Sequence, residues 1–247
     1  MSILEQIDKD KVPTHVAVIM DGNGRWANKQ GKERLEGHAQ GAKRAREIVD
    51  AAYRAGVKYI TLYAFSIENW QRPASEVNGL MTLLSKSIAS QFNDLIKYNM
   101  RLLTIGDLSL LPPDVHEDIN NAIAKSANNT GLTVVIAISY GSRYEIVEAA
   151  KKLLRRYQQQ PFDIDNLSES EFASYLYSAN IPDPELLIRT SGEVRVSNFM
   201  LWQISYSELY FTDVLWPDFT AEEFYKAIVD YQHRERRFGK TSQQISR

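Results

Sequence analysis

The sequence predicts an α/β fold, with six strands in a mostly parallel central sheet and helices on both faces. Three observations carry that expectation. Short apolar runs alternate with longer stretches whose apolar residues recur at helical spacing. No repeat, low-complexity tract or Gly/Ser/Pro-rich linker interrupts the 247 residues, so one domain spanning residues 1–247 is expected. The chain is 44% hydrophobic and 24% charged, enough apolar material for a sizeable core.

The elements follow in order. His15–Met20 (HVAVIM) reads as a buried strand ending at Asp21, followed by a loop, DGNGRW. A helix is expected from Gly37, with Ala45, Ile48, Val49, Ala52 and Tyr53 on one face and Gly56 as its stop. Val57–Phe65 is the next strand. Glu76–Tyr98 is a long helix with Val77, Leu80, Met81, Leu84, Ile88, Phe92 and Leu95 at helical spacing. Met100–Gly106 reads as a strand, Pro112–Asn129 as a helix, Leu132–Tyr140 as a strand and Ser142–Gln158 as a helix. A short helix starts at Ser168, with Glu171 placed for a capping box. Glu185–Thr190 is the fifth strand. A short helix around Asn198–Ser205 and a last strand segment near Leu209–Val214 follow. The final helix opens at Thr220, with Glu223 three residues on, and is expected to run to about Phe238.

Composition bounds the function. A formal net charge of −2 gives no global positive field, which argues against a nucleic-acid partner. Without cysteine there is neither a disulfide nor a thiolate metal site. The N-terminal segment lacks the basic-then-apolar pattern of a signal peptide, and no apolar run reaches membrane-spanning length, so a cytoplasmic location is expected.

Ligands in open parallel sheets bind beyond the carboxyl ends of the strands. Asp21, the Phe65–Trp70 segment, Tyr140–Arg143 and Arg189–Glu193 all lie at or just past such ends. Asp21-Gly-Asn-Gly-Arg-Trp26 puts an acid at a buried strand end, then two glycines, then an arginine. Glycine lets the backbone approach a phosphate, and Asp21 is suited to a magnesium ion bridging it. An isolated G-x-G is more often a tight turn. Here Arg25, Arg34 and His38 converge with it near a helix start, which favours a diphosphate site. A second anion corner follows the fifth strand, where Arg189, Arg195 and Ser197 lie close together. For Glu208, set among aromatics in SYSELYF, metal coordination and a buried salt bridge both stay open. The basic RERRF tail is either a helix end matched to its dipole or an arm reaching a phosphate. Two anion corners suggest two phosphorylated substrates. The apolar helix from Glu76 between them is either plain core or the wall of a pocket for a hydrocarbon tail.

These motifs together resemble the cis-prenyltransferase family, most closely the bacterial undecaprenyl diphosphate synthases. The resemblance runs from HVAVIMDGNGRW (15–26) through Gly37-His38 with Gly41, LYAFSIENWQRP (62–73), Ile105-Gly-Asp107 and Tyr140-Gly. It continues through IRTSGE (188–193), Ser197-Asn-Phe199, ELYFTDVLWP (208–217) and Arg237-Phe-Gly239. It covers nearly the whole chain, in order. The chain departs from the family pattern at Ser139 and Ser142, at Val194, and at Glu36.

The resemblance implies a homodimer with a hydrophobic tunnel in each subunit, using isopentenyl diphosphate and an allylic primer, farnesyl diphosphate, with Mg2+. Carried over position by position, Asp21 and Glu208 would serve the metal, Glu208 from the other subunit. Gly22, Asn23, Gly24, Arg25, Arg34 and His38 would cradle the allylic diphosphate, with Trp26 against the isoprenoid head. Arg189, Arg195 and Ser197 would hold isopentenyl diphosphate. Ser66, Glu68, Asn69, Trp70 and Arg72 would form a segment closing over the reaction. It further implies a product of about undecaprenyl length, with peripheral membrane association for its release. No Asp-Asp-x-x-Asp pair of the all-trans synthases is present. A shorter-chain synthase and a non-catalytic partner subunit are the alternatives.

Overall fold

The computed structural model describes residues 2–237, 241 and 244, apart from the side chains of residues 91–93. The six strands are β1 (His15–Ile19), β2 (Tyr59–Ser66), β3 (Arg101–Ile105), β4 (Thr133–Tyr140), β5 (Leu186–Arg189) and β6 (Glu208–Phe211). They form one sheet in the order β3-β4-β2-β1-β5-β6, and every neighbouring pair is parallel. The expected sheet is therefore present, and fully parallel.

The strands read as apolar runs because both sheet faces are covered. All residues of β1 and β5 are buried, and β4 is buried at every position but Ile136. Burying each Val, Leu or Ile contributes about 1.5–3 kcal/mol of favourable transfer. The helices are α1 (Ile3–Gln6), α2 (Asn23–Lys29), α3 (Arg34–Ala55), α4 (Ala74–Lys97), α5 (Pro113–Ser126), α6 (Ser142–Gln159), α7 (Glu169–Ala173) and α8 (Ala221–Gln232). Two buried clusters lie on the two faces of the sheet. Val16 and Val18 of β1 belong to the larger, and Ala17 and Ile19 to the smaller, as strand alternation requires.

Several expectations need correction. DGNGRW is not a loop throughout: α2 begins at Asn23, capped by Gly22 in the left-handed region at φ 107°. The helix expected from Gly37 starts at Arg34, where Glu33 and Glu36 form a reciprocal cap. Tyr53, placed on the buried face, is exposed and packs against the Tyr98 ring. Residues Asn198–Ser205 form turns, because Ser197, Asn198 and Met200 hold positive φ values of 45°, 59° and 49°. The last helix ends at Gln232, capped by His233. The Phe92 side chain, Phe238 and Gly239 lie outside the described residues.

The topology fixes where a ligand can sit. From β1 the chain first builds one side of the sheet, through β2, β3 and β4. It then crosses to the other side of β1 to lay down β5 and β6. The crevice between the carboxyl ends of β1 and β5 is the switch point of such a sheet, the preferred ligand position.

Packing then carries α2 onto this crevice. On α3, Gly37 and Gly41 stand one helical turn apart. A Cβ at Gly37 would lie 2.1 Å from the Asn23 carbonyl oxygen. At Gly41 it would lie 2.2 Å from Asn23 Oδ1 and 2.9 Å from Trp216 Cδ1. Any larger residue would push α2 off α3. The Trp216 indole N–H donates to the Gly41 carbonyl at 2.9 Å and locks the same contact.

Candidate functional site

A cavity of about 830 Å³ opens at the carboxyl ends of the strands. Its walls are apolar: Ala45 and Val49 from α3, Leu80, Met81, Leu84 and Ile88 from α4, Val134 and Ile136 from β4, and Leu102 from β3. The helix from Glu76 and the fourth strand thus line a pocket, and do not serve as core alone. Apart from Ser87 on α4, its polar lining is Asp21, Asn23, His38, Ser66, Glu68, Asn69, Arg72, Arg143, Arg189, Ser197 and Asn198.

Asp21 and Arg189 meet across the switch point. Arg189 is only 4% exposed, and its Nη2 donates to Asp21 Oδ2 at 3.0 Å. Its Nη1 donates to the Arg195 carbonyl and, at 2.7 Å, to Ser197 Oγ. Asp21 Oδ1 accepts from the Gly22 amide at 2.7 Å, and Arg25 stands 3.6 Å from Oδ2. Burial pushes the Asp21 carboxyl up, but Arg189 with the Gly22 amide and Arg25 outweighs it and holds the group below the usual carboxylate range. Asp21 is therefore ionised at neutral pH.

His38 lines the cavity from α3, and burial, helped by the charges of Arg72 and Arg34, pushes its imidazole down to about 4. It is neutral at pH 7. Its Nε2 is buried with no hydrogen-bond partner among the described residues, and the same holds for Arg189 Nε and Asn23 Oδ1. Buried polar atoms seldom go unsatisfied, so their clustering on residues that line one cavity marks a binding site.

Four other arginines near the mouth hold carboxylates. Glu76 receives Arg72 at 3.0 Å and Arg34 at 3.1 Å, tying the start of α3 to the segment after β2. Glu193 pairs with Arg25 at 3.2 Å and with Arg195. Arg25 Nη1 also donates to the Ser191 carbonyl at 2.9 Å. Asn69 lines the cavity, and its Oδ1 accepts from the Ser66 amide at 3.1 Å, closing the 3₁₀ turn Ile67–Gln71.

Two candidate residues are placed otherwise than expected. Trp26 is absent from the cavity lining; its indole N–H donates to Asp218 at 2.9 Å and Lys32 lies over its ring. Trp70 turns inward, where its N–H donates to Ser139 Oγ at 3.1 Å and its ring meets Phe65 edge-on. Glu208 pairs in register with Leu186 at the start of β5, whereas Arg189 pairs with Phe211. That separates Glu208 from the Asp21 end of the sheet by about 10 Å of strand. Within one chain it forms a salt bridge with Arg234 at 3.1 Å and shares no ion with Asp21.

Residue-type reasoning passed over Glu76, Asn198 and the side chain of Arg143. Arg143 sits one residue into α6 at a strand end, which was the available signal. Glu76 and Asn198 reveal themselves only through contacts across the fold.

No cluster of three or more metal-ligating His, Cys, Asp or Glu side chains occurs among the described residues. An ionised carboxylate at a strand end lined with arginines nevertheless suits magnesium, which takes one or two carboxylates and completes its octahedron with ligand oxygens and water. The Asp21 corner fits that ion.

Fold and site together define an α/β protein with an apolar hollow beneath a mouth of arginines. The family described as "Putative undecaprenyl diphosphate synthase" matches residues 19–239. An isoprenyl transferase of Geobacter sulfurreducens is 50% identical over 237 residues, 96% of each chain. One from Porphyromonas gingivalis is 50% identical over 235 residues, 95% of this chain and 92% of the relative. Among solved structures, a lavandulyl diphosphate synthase from Lavandula x intermedia, in complex with dimethylallyl diphosphate, superposes with a TM-score of 0.91 at 35% identity, covering 94% of this chain and all of the relative. A "probable undecaprenyl diphosphate synthase" from Campylobacter jejuni gives 0.76 at 35% identity over 92% and 99% of the two chains. The chain belongs to this prenyltransferase family. No helix among the described residues is long and apolar enough to cross a membrane.

Proposed function

We propose that the chain elongates an allylic diphosphate, farnesyl diphosphate, by successive cis additions of isopentenyl diphosphate, giving a product of about undecaprenyl length. One observation carries the reading: a single cavity is greasy along its length and ends at Asp21 and Arg189, side by side at the switch point.

The allylic diphosphate is assigned to the β1 side, where the Gly22, Asn23 and Gly24 backbone and Arg25 stand at the start of α2 and neutral His38 can donate from Nε2. Arg34 is released to the phosphates from Glu76. Magnesium, held by Asp21, would neutralise charge on the departing diphosphate. Isopentenyl diphosphate is assigned to Arg189, Arg195 and Ser197, already linked by hydrogen bonds. The bond from the allylic C1 to diphosphate breaks, C1 joins C4 of isopentenyl diphosphate, and the proton lost from C2 of that unit passes to a base, for which Asp21, a water organised by Asn69 and a diphosphate oxygen are the candidates. The lengthening hydrocarbon is assigned to the cavity between α3, α4 and β4. Preorganised cations facing the departing charge supply the main electrostatic term.

A homodimer belongs to the proposal, since Glu208 can serve the metal only from a second copy. So do a cytoplasmic location and release of product at a membrane surface. The test is turnover by the purified chain with farnesyl diphosphate, labelled isopentenyl diphosphate and Mg2+, read by chromatography of the dephosphorylated products. Long polyprenols are expected. A dominant product of C15 or shorter would overturn the length assignment, and no incorporation would favour a non-catalytic partner subunit.

A further inference from the structure

Asn198 follows Ser197 in the loop after β5 and lies against two other parts of the chain. Its carbonyl accepts from the Ser142 amide at 2.8 Å, and its Oδ1 accepts from the Arg143 amide at 2.9 Å. Its Nδ2 donates to Glu68 Oε1 at 2.8 Å. The two partners fix the orientation of the amide. A carboxylate only accepts and a backbone N–H only donates, so the reversed amide would lose both bonds.

The fold makes unusual room for this contact. Asn198 holds a left-handed φ of 59°, beside Ser197 at 45°. Beneath it, a Cβ on Gly141 would lie 2.9 Å from Asn198 Nδ2 and 2.7 Å from Ile67 Cγ2. Leu201 adds a second tie, its amide donating to Ser142 Oγ at 3.0 Å. Strained residues that the surroundings hold in place concentrate where function needs them. Each segment joined here presents a side chain to the cavity: Ser197 and Arg189 from the β5 corner, Glu68 from the turn after β2, and Arg143 from the first turn of α6. Arg143 has no ion-pair partner among the described residues.

We propose that Asn198 is a positioning residue that registers Glu68 and the first turn of α6 against the Arg189–Ser197 corner, so that the second diphosphate site and the segment after β2 act as one unit. The proposal rests on the chain-elongation function argued above. Among the described residues Asn198 makes these hydrogen bonds and none to Asp21, Asn23 or His38, so its loss is expected to weaken one substrate selectively.

Asn198→Gly keeps the left-handed backbone accessible and removes both side-chain bonds. The KM for isopentenyl diphosphate should rise about tenfold, the order lost with one hydrogen bond to a charged group. The KM for farnesyl diphosphate should stay within about twofold on the same scale. Asn198→Asp sets two carboxylates together, so its defect should ease as pH is lowered. Adding Glu68→Gln to Asn198→Asp returns an amide donor facing a carboxylate and should recover activity several-fold over Asn198→Asp alone. An equal KM rise for both substrates, or a double variant no better than Asn198→Asp, would overturn the positioning role. These two variants keep the test open should Asn198→Gly fail to fold. A wild-type chain that incorporates no isopentenyl diphosphate would overturn the parent function, and this proposal with it.

Discussion

Arg189 and Asp21, 168 residues apart in sequence, meet at 3.0 Å where β5 and β1 emerge side by side. The contact does more than join two strands. It keeps a carboxylate ionised beneath a cationic mouth and sets the guanidinium whose other nitrogen reaches Ser197.

Asp21→Asn keeps the shape and removes the charge. Turnover should fall about 10²- to 10³-fold, the range for losing one preorganised electrostatic group. The substitution leaves the buried Arg189 facing an amide oxygen in place of its counter-charge, so the fold should lose about 1–3 kcal/mol. Steady-state rates together with thermal unfolding check both statements. A near-normal rate would remove Asp21 from the chemistry.

Burial, with the charges of Arg72 and Arg34, pushes the His38 imidazole down to about 4. An anion bound beside it favours the protonated imidazole, so pyrophosphate should raise the midpoint. NMR titration of the His38 ring with and without pyrophosphate reads this directly. A midpoint unmoved by saturating pyrophosphate would place the anion elsewhere.

Ile136 lines the cavity from the middle of β4. Ile136→Phe should fill part of the hollow and shift the products shorter, at a packing cost of about 1–3 kcal/mol. Chromatography of dephosphorylated products measures the shift. An unchanged length distribution would show that the growing chain runs elsewhere.

His15 is a structural titration. Fully buried in β1, it bridges the Pro182 carbonyl at 2.6 Å and Thr61 Oγ1 at 2.7 Å, and burial pushes its pKa down to about 4. The unfolded chain takes up this proton near pH 6.5 and the folded chain only near 4. Between those values stability falls as pH falls, by up to about 1.4 kcal/mol per pH unit. His15→Gln should remove about one proton's worth of that slope in urea melts between pH 4.5 and 7. An unchanged slope would assign the effect to other groups.

The sheet was legible because its strands are buried on both faces and read as continuous apolar runs. Long-range packing was not. Asn and Gly at positions 22–24 are weak helix formers, and α2 holds its start because Gly37 and Gly41 let it press onto α3. The turns around Ser197–Met200 escaped detection because their positive φ values fall on serine, asparagine and methionine, where no glycine announces them. Rotation about a helix or turn also decided Trp26 and Trp70, whose indole N–H groups found Asp218 and Ser139. Glu208 precedes the strand segment read from the sequence, at its amino end, so the carboxyl-end rule already keeps it from the Asp21 corner of its own chain.

The paired arginines at the mouth set the electrostatic character of binding. Arg25 and Arg195 are matched by Glu193, Arg34 and Arg72 by Glu76, and Arg189 by Asp21. A diphosphate arriving there trades places with anions the protein already carries. Much of the Coulombic gain from each new contact is cancelled by an old one released, so affinity should vary with ionic strength far less than the number of guanidinium groups suggests. With a formal net charge of only −2 there is no long-range attraction to hasten the encounter either. Discrimination among anions must then be expressed in dissociation, in how well a ligand replaces the carboxylates it displaces.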